Sequence, residues 1–549
     1  MAELIVLNRT DKKRDILPEK EKRIAEIIKK SSLSQYADFQ KGADWDIFYQ
    51  FTTFREGLVN WYPFQEKGAT LIISSGFGAL VGILARRTAK VDVLEENAVR
   101  AECMIKRYAD VCNVRVLVGA VQDLLKFSHT AYDYIVVEKE AVTKKEVQKM
   151  IDIAGRFLSR NGRMLFVCEN RFGMRYWCGV SDSLTGEPFG SICDEKSAMR
   201  ITRSSLIDIL QSDRNAGDWR IYYPFPDHRL PQAIYTDEYL PQVGIRDRVI
   251  FYYTPQQRNS LVFLEDDICD DLISNGVFQM FANSFLIEYA KTKFQPVVKY
   301  AALSTDRGRE HGFATMVCAE NVVRKKALHP QGRASLRNIF RNQRELDKHG
   351  IMCVGQKMFS DFIEMPYVQG PNLIEELKDL YLKRNIDEIE HIFDLLYDNI
   401  LNSSVHVPFL KCAIKNKELN EQNAGIILQE AYIDMIPYNC FYKNGKLLFY
   451  DQEFVKKDCP AKYVMFRALR YTYFYIKEAE MILALQCFKD KYELNEVWEI
   501  FEQEEAEFIE ENRNYDLMST FYKWAEISRS DINANRKRLA SDGEGSADI

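Results

Sequence analysis

Short apolar runs alternate with segments of helical periodicity between Thr70 and Asn170. Apolar runs separated by amphipathic segments such as Ala98–Asp110 and Lys144–Leu158 are typical of parallel strands joined by helices. The pattern predicts an α/β fold, a doubly wound Rossmann-like domain with a mainly parallel sheet. The predicted strands are, in chain order, TLIISS, VDVLEEN, VRVLVG, YDYIVVEKE and GRMLFVCEN.

A different order of elements follows in the second half of the chain. It runs strand, turn, strand, strand, helix, strand, strand, which is the order of the small lobe of a protein kinase. We therefore expect a two-lobed, protein-kinase-like α+β domain there, followed by C-terminal helices. The segments are FQPVVKYAALS, FATMVCAEN, VVRKKAL, Gly332–His349, Ile351–Gln356 and Met358–Met365.

Changes in pattern also predict the domain boundaries. A charged helix is expected at Pro18–Lys30, and charged helical segments return between Tyr475 and Glu511. The final residues are polar and carry Gly, Ser and Asp, a composition that favours disorder. The predicted parts are an N-terminal helical extension (1–50), the α/β domain (51–250), the kinase-like domain (251–475), C-terminal helices (476–530) and a disordered tail (531–549).

Composition narrows the class of protein. With 28% charged and 46% hydrophobic residues, the chain is globular, and a net charge of -6 without a basic stripe argues against nucleic-acid binding. The 12 cysteines include no C-x-x-C pair, which indicates reduced thiols and argues against a zinc site. No signal-peptide core or membrane-spanning run is found, so we expect a cytoplasmic protein and leave room for peripheral contact with the inner face of the membrane.

The first predicted domain has the residues of a nucleotide-type pocket. Gly76 and Gly78 lie in the first strand–helix turn, where ligands bind in doubly wound sheets. Glu95, or Glu96 as the alternative, ends the second strand and could accept hydrogen bonds from two ribose hydroxyls. Asp123, after the third strand, is placed to meet an adenine amino group. This pattern fits NAD as well as S-adenosyl-L-methionine; a packing turn with solvated acids is the simpler alternative.

Three further blocks of this half are distinctive. They are REGLVNWYPF (Arg55–Phe64), ENRFGMRYWCGVSDSLTGEPF (Glu169–Phe189) and YYPFPDHRLPQAIYTDEYLP (Tyr222–Pro241). The blocks resemble class I methyltransferase domains from bacterial surface-polysaccharide loci, and the resemblance implies S-adenosyl-L-methionine as cofactor. The family's turn usually carries an acid where this chain has Ile72 and a glycine where it has Ser74, while Phe77 adds bulk.

The second of these blocks is also the predicted acceptor site. Arg171, Arg175, Tyr176 and Trp177 follow a strand end in a loop, together with Asp182. Guanidinium groups pair bidentately with phosphate, and aromatic faces can stack on sugar rings, so this cluster suits an anionic or sugar-bearing acceptor. The alternative is that the aromatic residues pack a lid and the arginines are solvated.

The kinase-like half has candidates for nucleotide binding in the matching order. Alternation in the third strand predicts that Lys325 points at ATP phosphates, with Lys326 as the register-slipped alternative. Glu345, the only Glu on the following helix, is the candidate to ion-pair with that lysine. Phe362–Leu373 changes from strand to connector, and the backbone from Glu364 to Tyr367 is predicted to contact adenine.

The stretch Ala431–Phe454 carries the predicted phosphotransfer chemistry. A carboxylate to take a hydroxyl proton, with an Asn and a second carboxylate to hold Mg2+, is the minimal set for phosphoryl transfer to an alcohol. Its IDMIPYN…FYDQE pattern resembles aminoglycoside-phosphotransferase-type kinases, with Tyr432 where a His usually stands. The resemblance implies Asp434 as base, Asn439 and Asp451 as Mg2+ ligands and Glu453 at the metal edge. A turn-rich surface hairpin is the alternative.

Together, the two halves resemble bifunctional enzymes that terminate bacterial O-antigen chains. The resemblance implies a methyltransferase and sugar kinase whose acceptor is a glycan or lipid-linked saccharide. The C-terminal helices are candidates for holding a glycosyltransferase, and an oligomer is left open. The alternatives are a polysaccharide-assembly scaffold with a degenerate methyltransferase or pseudokinase domain, and an aminoglycoside- or choline-type small-molecule kinase with an accessory domain.

Overall fold

The computed structural model describes residues 2–7, 16–31, 39, 42–74, 76–127, 131–213, 217–245, 248–304 and 306–544. The chain forms two compact units, Met1–Thr305 with Tyr515–Ile549, and Asp306–Asn514. The division therefore lies at Thr305, whereas we expected it at residue 250. The difference arises because two further strands, Ser284–Ala290 and Val298–Leu303, pair within the sheet of the first unit.

The first unit begins with a mostly α/β succession of elements. They are β1 Glu3–Val6, α1 Glu19–Lys30, α2 Trp45–Phe51, β2 Ala69–Ile73, α3 Val81–Arg87, β3 Lys90–Glu95, α4 Ala98–Arg107, β4 Val114–Val118, α5 Val121–Phe127, β5 Tyr132–Ala141, α6 Lys144–Phe157, β6 Leu158–Glu169, α7 Met174–Trp177, α8 Gly190–Cys193, α9 Arg203–Ser212, β7 Asp218–Phe225, β8 Ala233–Thr236, α10 Pro255–Arg258, α11 Asp266–Ser274, α12 Phe278–Phe281, β9 Ser284–Ala290 and β10 Val298–Leu303.

The second unit begins with antiparallel strands and continues mainly in helices. Its elements are β11 Phe313–Cys318, β12 Val322–Ala327, α13 Gly332–Lys348, β13 Lys357–Met358, β14 Phe362–Pro366, α14 Leu373–Leu382, α15 Ile386–Asn402, β15 His406–Val407, α16 Glu421–Ala424, β16 Ile427–Tyr432, β17 Cys440–Lys443, β18 Lys446–Phe449, β19 Val455–Pro460, α17 Ala461–Tyr475, α18 Ala479–Ile482, α19 Leu485–Lys491 and α20 Trp498–Asn512. The chain then returns to the first unit with α21 Tyr515–Ala525 and α22 Arg529–Glu544.

The sheet of the first unit has the strand order β1-β4-β3-β2-β5-β6-β9-β7-β8-β10. Neighbours from β1 to β6 are parallel, and the pairs from β6–β9 onward are antiparallel. The order reverses between β2 and β5, as it does in doubly wound sheets. The predicted mainly parallel α/β sheet is thus confirmed for this part of the chain.

Local sequence explains why the crossover helices form where they do. In α6, Thr143 and Glu146 make a reciprocal capping box, and Val147, Ile151 and Ala154 recur at helical spacing on the buried face. Asn97 caps α4 by accepting from the backbone N–H of Arg100. These caps and apolar stripes place each helix against the sheet and leave the strand ends to carry the polar residues.

The second unit is described by its own sheets and core. One sheet has the order β11-β12-β14-β13, a three-stranded sheet has the order β15-β16-β19, and β17 pairs with β18. Helix α13 packs Leu336 and Ile339 into a small core with Phe313 and Ile363. Helices α15 and α17 contribute to a larger core.

Two expectations about the ends of the chain need correction. The predicted helical extension also contains a strand, β1, which pairs in parallel with β4. Most of the tail that we expected to be disordered is helical in α22, where Asn535 donates to the backbone oxygens of Arg258 and Leu261; residues 545–549 lie outside the described part. None of the described helices is long and apolar enough to cross a membrane.

Candidate functional site

The turn after β2 lies at the carboxyl ends of the parallel strands. Its first residue, Ser74, continues the sheet by donating its backbone N–H to Leu94 O at 2.9 Å. Gly78 has φ +73°, and a Cβ there would lie 3.0 Å from the side chain of Val81. A larger residue would therefore be strained at this point. Gly76 faces open space apart from Gln50, whose side chain is 3.6 Å from the Cβ position.

The bulk of Phe77 does not enter this turn's concave side. Phe77 is buried in a small core with Ile24 and Ile28 of α1 and Phe51 of α2. Its backbone oxygen accepts a 3.0 Å hydrogen bond from Arg107 Nη1 of α4. The neighbouring residue Tyr108 donates its hydroxyl to Gly78 O at 2.6 Å. These contacts hold the turn from the side of α1, α2 and α4.

Glu95 is the carboxylate that ends β3 at the same edge. Oε1 accepts from the backbone N–H of Asn97 at 2.9 Å and lies 3.8 Å from Arg100. Oε2 is buried and has no hydrogen-bond partner within the described residues. Burial raises the pKa of Glu95 to about 7. Glu96, the alternative from the sequence, is exposed.

Two more carboxylates lie along this edge. Asp123 is on the first turn of α5, where Oδ2 accepts from Ala120 N at 2.9 Å. Glu138, near the end of β5, accepts from Ser74 Oγ at 2.8 Å and from Leu80 N at 3.2 Å. Glu138 is not among the residues predicted from the sequence. Its signal was an acid at the end of an apolar strand, the same signal that selected Glu95.

The predicted acceptor residues are largely not at a binding surface, which corrects our expectation. Arg175 is buried and pairs with Asp227 at 2.7 Å, and Tyr176 is buried with its hydroxyl donating to Glu169. Arg171 donates to the backbone oxygens of Ser191 and Ile192. Trp177, with 39% of its surface exposed, is the most accessible of these four residues, and Arg171 is half-buried.

These residues belong to a buried ionic network after β6. Arg200 pairs with Glu169 and Asp182, and Arg229 donates to Glu169 Oε1 at 2.9 Å. Burial acts to raise the pKa of Glu169, but Arg229, the hydrogen bond from Ser183 and Arg200 outweigh it and lower the pKa to about 2. The network fixes the segment after β6 through charge pairs rather than presenting charges to an acceptor.

In the second unit, Lys325 of β12 points inward, as alternation predicts. It is 5% exposed, pairs with Asp451 Oδ1, and lies 3.9 Å from Glu453 Oε2. Lys326, the alternative if the register of the strand is shifted by one residue, follows Lys325 and is half-buried. Asp451 adopts a left-handed backbone conformation with φ 55°, which is uncommon for a residue other than glycine.

The predicted ion pair between Lys325 and Glu345 does not form. Glu345 instead pairs with Lys348 at 2.8 Å, one turn along the surface of α13. Asn342 occupies the inward face and donates to the backbone oxygens of Gln452 and Glu453 at 3.0 and 3.2 Å. Glu345 does not pair with Lys325 because it lies outside the buried face of α13, which contains Ile339, Asn342 and Leu346.

The polar turn before β11 reaches the same cluster. Arg307 Nη1 lies 2.9 Å from Glu453 Oε2, and His311 Nδ1 lies 2.6 Å from Glu453 Oε1. Glu453 is thus surrounded by Lys325, Arg307 and His311. Two of the three cationic or titratable partners of Glu453 therefore come from this turn.

Asp434 and Asn439 lie beside this cluster. Asp434 Oδ2 accepts from the backbone N–H groups of Glu453 and Phe454 at 3.0 and 2.8 Å, and burial raises its pKa. Arg467 Nη1 is 3.5 Å from Oδ1, and Asn439 Nδ2 donates to the backbone oxygen of Asp434 at 3.3 Å. No group of three or more His, Cys, Asp or Glu residues in the described ranges is arranged to hold a metal ion.

The segment predicted to contact adenine lies at the end of β14. Glu364 lies between β12 and β13, opposite Arg324 and Lys357. Met365 and Pro366 pair with β12, and the backbone N–H of Tyr367 donates to Asn321 O at 2.9 Å. A contact of this backbone with adenine stays a prediction.

Parts of the chain are similar to solved structures, with low sequence identities and low TM-scores. No family model matches the chain, and no curated protein matches it. Three solved structures similar to parts of it are a precorrin 8W decarboxylase from Methanobacterium thermoautotrophicum (18% identity, TM-score 0.18, 21% of this chain and 60% of that one), an rRNA methylase from Streptococcus thermophilus (11%, 0.23, 44% and 93%) and an Aeropyrum pernix fibrillarin with bound S-adenosyl-L-methionine (16%, 0.18, 20% and 49%).

Proposed function

We propose that the first unit binds S-adenosyl-L-methionine and is a methyltransferase. The observation that carries the proposal is Glu95 Oε2, a buried acceptor without a partner in the described chain, at the carboxyl end of β3. A buried polar atom of this kind costs stability unless a ligand satisfies it. A ribose hydroxyl of the cofactor would supply the missing donor, because ligands bind at this edge of doubly wound sheets.

The other residues of the edge fit the same cofactor. Gly78 keeps the turn narrow, and Phe77 is directed away from it into the core around α1. The family's acid is absent at Ile72, but Glu138 from the neighbouring strand brings a carboxylate to the turn. The bound cofactor would supply an activated methyl group. The acceptor, a saccharide or its phosphate, is proposed from the sequence resemblance alone.

The test is cofactor binding measured by calorimetry on the full chain, with S-adenosylhomocysteine as the probe. Glu95→Ala should weaken binding by about tenfold or more, because a buried hydrogen bond to a charged group is lost. Glu96→Ala is the matched control and should bind like the wild type. Absence of binding by the wild type, or equal affinity of Glu95→Ala, would refute the proposal.

The second unit favours a second candidate function, ATP-dependent phosphoryl transfer to a sugar hydroxyl. The specific observation is the pairing of Lys325 with Asp451, which are far apart in sequence. In the proposed site Lys325 contacts ATP phosphates, and Asp451 and Asn439 hold Mg2+, which proteins usually bind through one or two carboxylates plus substrate phosphates. Asp434 would orient the hydroxyl. Because two backbone N–H groups hold its Oδ2, Asp434 would have to reorient to meet that hydroxyl.

Mg-ATP binding tests this second function separately. A ligand that binds only the folded state raises the melting temperature, so Mg-ATP should stabilise the wild type. Lys325→Met and Asp451→Asn should remove that stabilisation, while Lys326→Met, the matched control, should keep it. No response of the wild type to Mg-ATP would make the second unit a pseudokinase. If the wild type responded to neither S-adenosylhomocysteine nor Mg-ATP, the alternative of a polysaccharide-assembly scaffold would be favoured.

A further inference from the structure

The exposed side of α13 carries a line of arginines. Its members are spaced four, four and three residues apart, so at 3.6 residues per turn they lie within an arc of about 80° and a length of about 17 Å. They lie opposite the buried face of the helix, which contains Leu336, Ile339 and Leu346. This basic stripe consists of Arg333, Arg337, Arg341 and Arg344, all of them exposed.

The charges of the basic stripe are not neutralised within the part of the chain that the structure describes. None of its guanidinium groups has an ion pair among those residues; Arg344 lies over the ring of Phe340 at 4.7 Å. Lys348 continues the line by one turn, but it pairs with Glu345. Like charges at neighbouring positions of a helix repel one another, so the stripe lowers the stability of α13 unless an anionic group lies against it.

The basic stripe is not visible as a run of charges in the sequence. Its arginines are separated by two or three residues of other kinds, and the helix brings them to one side. The absence of a basic stripe, which we inferred from the composition, therefore needs correction for α13. The net charge of the whole chain remains -6, so the stripe is a local exception on an acidic protein.

Helix α20 carries the complementary pattern. It contains seven glutamates and no Lys or Arg, and three of the glutamates pair with basic side chains of the same unit. Along its exposed side, Glu499, Gln503, Glu507 and Glu510 are spaced four, four and three residues apart, as the arginines of α13 are. The three glutamates of this acidic stripe have no ion pair within the described ranges. Two helices of the second unit thus present opposite charges at equal spacing.

We propose that copies of this chain associate, with the basic stripe of one protomer lying along the acidic stripe of its partner. Equal spacing lets three arginines stand opposite the three glutamates, while Arg337 stands opposite Gln503, whose amide oxygen can accept from it. A nucleic acid or an anionic membrane would also meet the arginines. Either would leave the acidic stripe without a partner, and the net charge of -6 would repel it.

The proposed association is reversible and sensitive to salt, because each contact joins two exposed charges. Complementary charges of this kind select the partner surface and its register more than they add affinity. Engagement of both stripes of each protomer at once closes a twofold dimer, whereas one engagement at a time extends into longer assemblies. The inference depends on neither cofactor binding nor nucleotide binding.

The test is sedimentation-velocity centrifugation of the full chain over a range of protein concentrations. The average mass of the wild type should rise with concentration at about 50 mM salt and stay at that of the monomer at about 500 mM, because the Debye length falls by about threefold. Two triple variants reverse one stripe each, and each alone should stay monomeric. They are Arg333→Glu/Arg337→Glu/Arg341→Glu and Glu499→Lys/Glu507→Lys/Glu510→Lys.

An equimolar mixture of the two triple variants should associate again. In the mixture the two reversed stripes meet each other, and so do the two unreversed stripes. Lys145→Glu/Lys149→Glu/Arg156→Glu, at exposed positions of α6, is the matched control. It changes the net charge by the same amount as the reversed basic stripe and should associate like the wild type. Thermal unfolding followed by circular dichroism checks that every variant is folded.

A wild type that stays monomeric at low salt would overturn the proposal, as would a mixture of folded triple variants that does not associate. A monomeric wild type that binds vesicles of phosphatidylglycerol and phosphatidylcholine, and loses this binding when the basic stripe is reversed, would assign the stripe to a membrane surface instead. Association of the wild type that persists in both triple variants would place the interface elsewhere on the chain.

Discussion

Ser74 donates its hydroxyl to Glu138 at 2.8 Å, which ties the first strand–helix turn to the neighbouring strand β5. Ser74 stands where the resembling family has a glycine, and Glu138 also accepts from Leu80 N. The substitution therefore adds a side-chain hydrogen bond that positions the turn. A turn with this extra link should be more rigid than one built of glycines.

The first prediction follows from this link. Glu138→Ala should weaken S-adenosylhomocysteine binding by about tenfold, because both hydrogen bonds that hold the turn are lost. Glu138→Gln should bind nearly as well as the wild type, since an amide can accept from Leu80 N and donate to Ser74 Oγ. Calorimetry on the three proteins measures both effects. Equal weakening in the Gln and Ala variants would show that the carboxylate charge, not the turn geometry, matters.

The second prediction concerns the pH dependence of cofactor binding. The pKa of Glu95 is raised to about 7 by burial, so a large fraction is protonated in the unliganded protein near neutral pH. Ribose hydroxyls that donate to Oε2 would favour the ionised form and lower this pKa in the complex. Affinity should therefore rise from about pH 6 to about pH 8, with uptake of ligand coupled to proton release.

Glu95→Gln provides the control for this pH dependence. The amide cannot titrate, so affinity should be lower than in the wild type and nearly constant over the same range. Binding titrations in buffers of different ionisation enthalpy measure the proton release directly. A wild-type affinity that falls as the pH rises would have the wrong sign and would exclude Glu95 as the group that meets the ribose.

The third prediction separates Glu345 from Asn342 in the second unit. Glu345 is on the surface of α13 beside Lys348, so Glu345→Gln should leave stabilisation by Mg-ATP unchanged. Asn342→Leu removes two hydrogen bonds to the backbone that carries Glu453 and should reduce that stabilisation. Thermal unfolding with and without Mg-ATP measures both. If Glu345→Gln lost its stabilisation by Mg-ATP, the result would support the predicted ion pair between Glu345 and Lys325.

The sequence predicts much of the fold because its signals are local. The pattern predicts a helix at Gly332–His349, and α13 is found at Gly332–Lys348; the strands of the parallel sheet coincide with apolar runs of the sequence. Apolar periodicity and capping residues act within one or two turns, so they can be read without knowing distant neighbours. Glu95 was found in the same way, from its position at the end of a strand.

The misplaced residues depend on partners that are distant in the chain. Their clustering in a loop predicts an acceptor site for Arg175 and Tyr176, but both are buried: Arg175 pairs with Asp227, and the Tyr176 hydroxyl donates to Glu169. No local pattern marks that pairing. Asn342 has a local signal, its spacing from Ile339 and Leu346 on the buried face of α13, whereas Glu345 has the charge but not that spacing.

The last prediction tests whether the network after β6 is structural. Arg175→Met leaves Asp227 buried with one fewer cation, and removing one partner of a buried pair typically costs about 3–5 kcal/mol. We expect the free energy of unfolding of the first unit to fall by this amount. Urea denaturation monitored by fluorescence measures it. Arg156→Met, at an exposed position of α6, is the matched control and should change it by less than about 0.5 kcal/mol. If Arg175→Met instead kept wild-type stability and lost only binding of a phosphorylated saccharide, Arg175 would belong to an acceptor site, as the sequence first indicated.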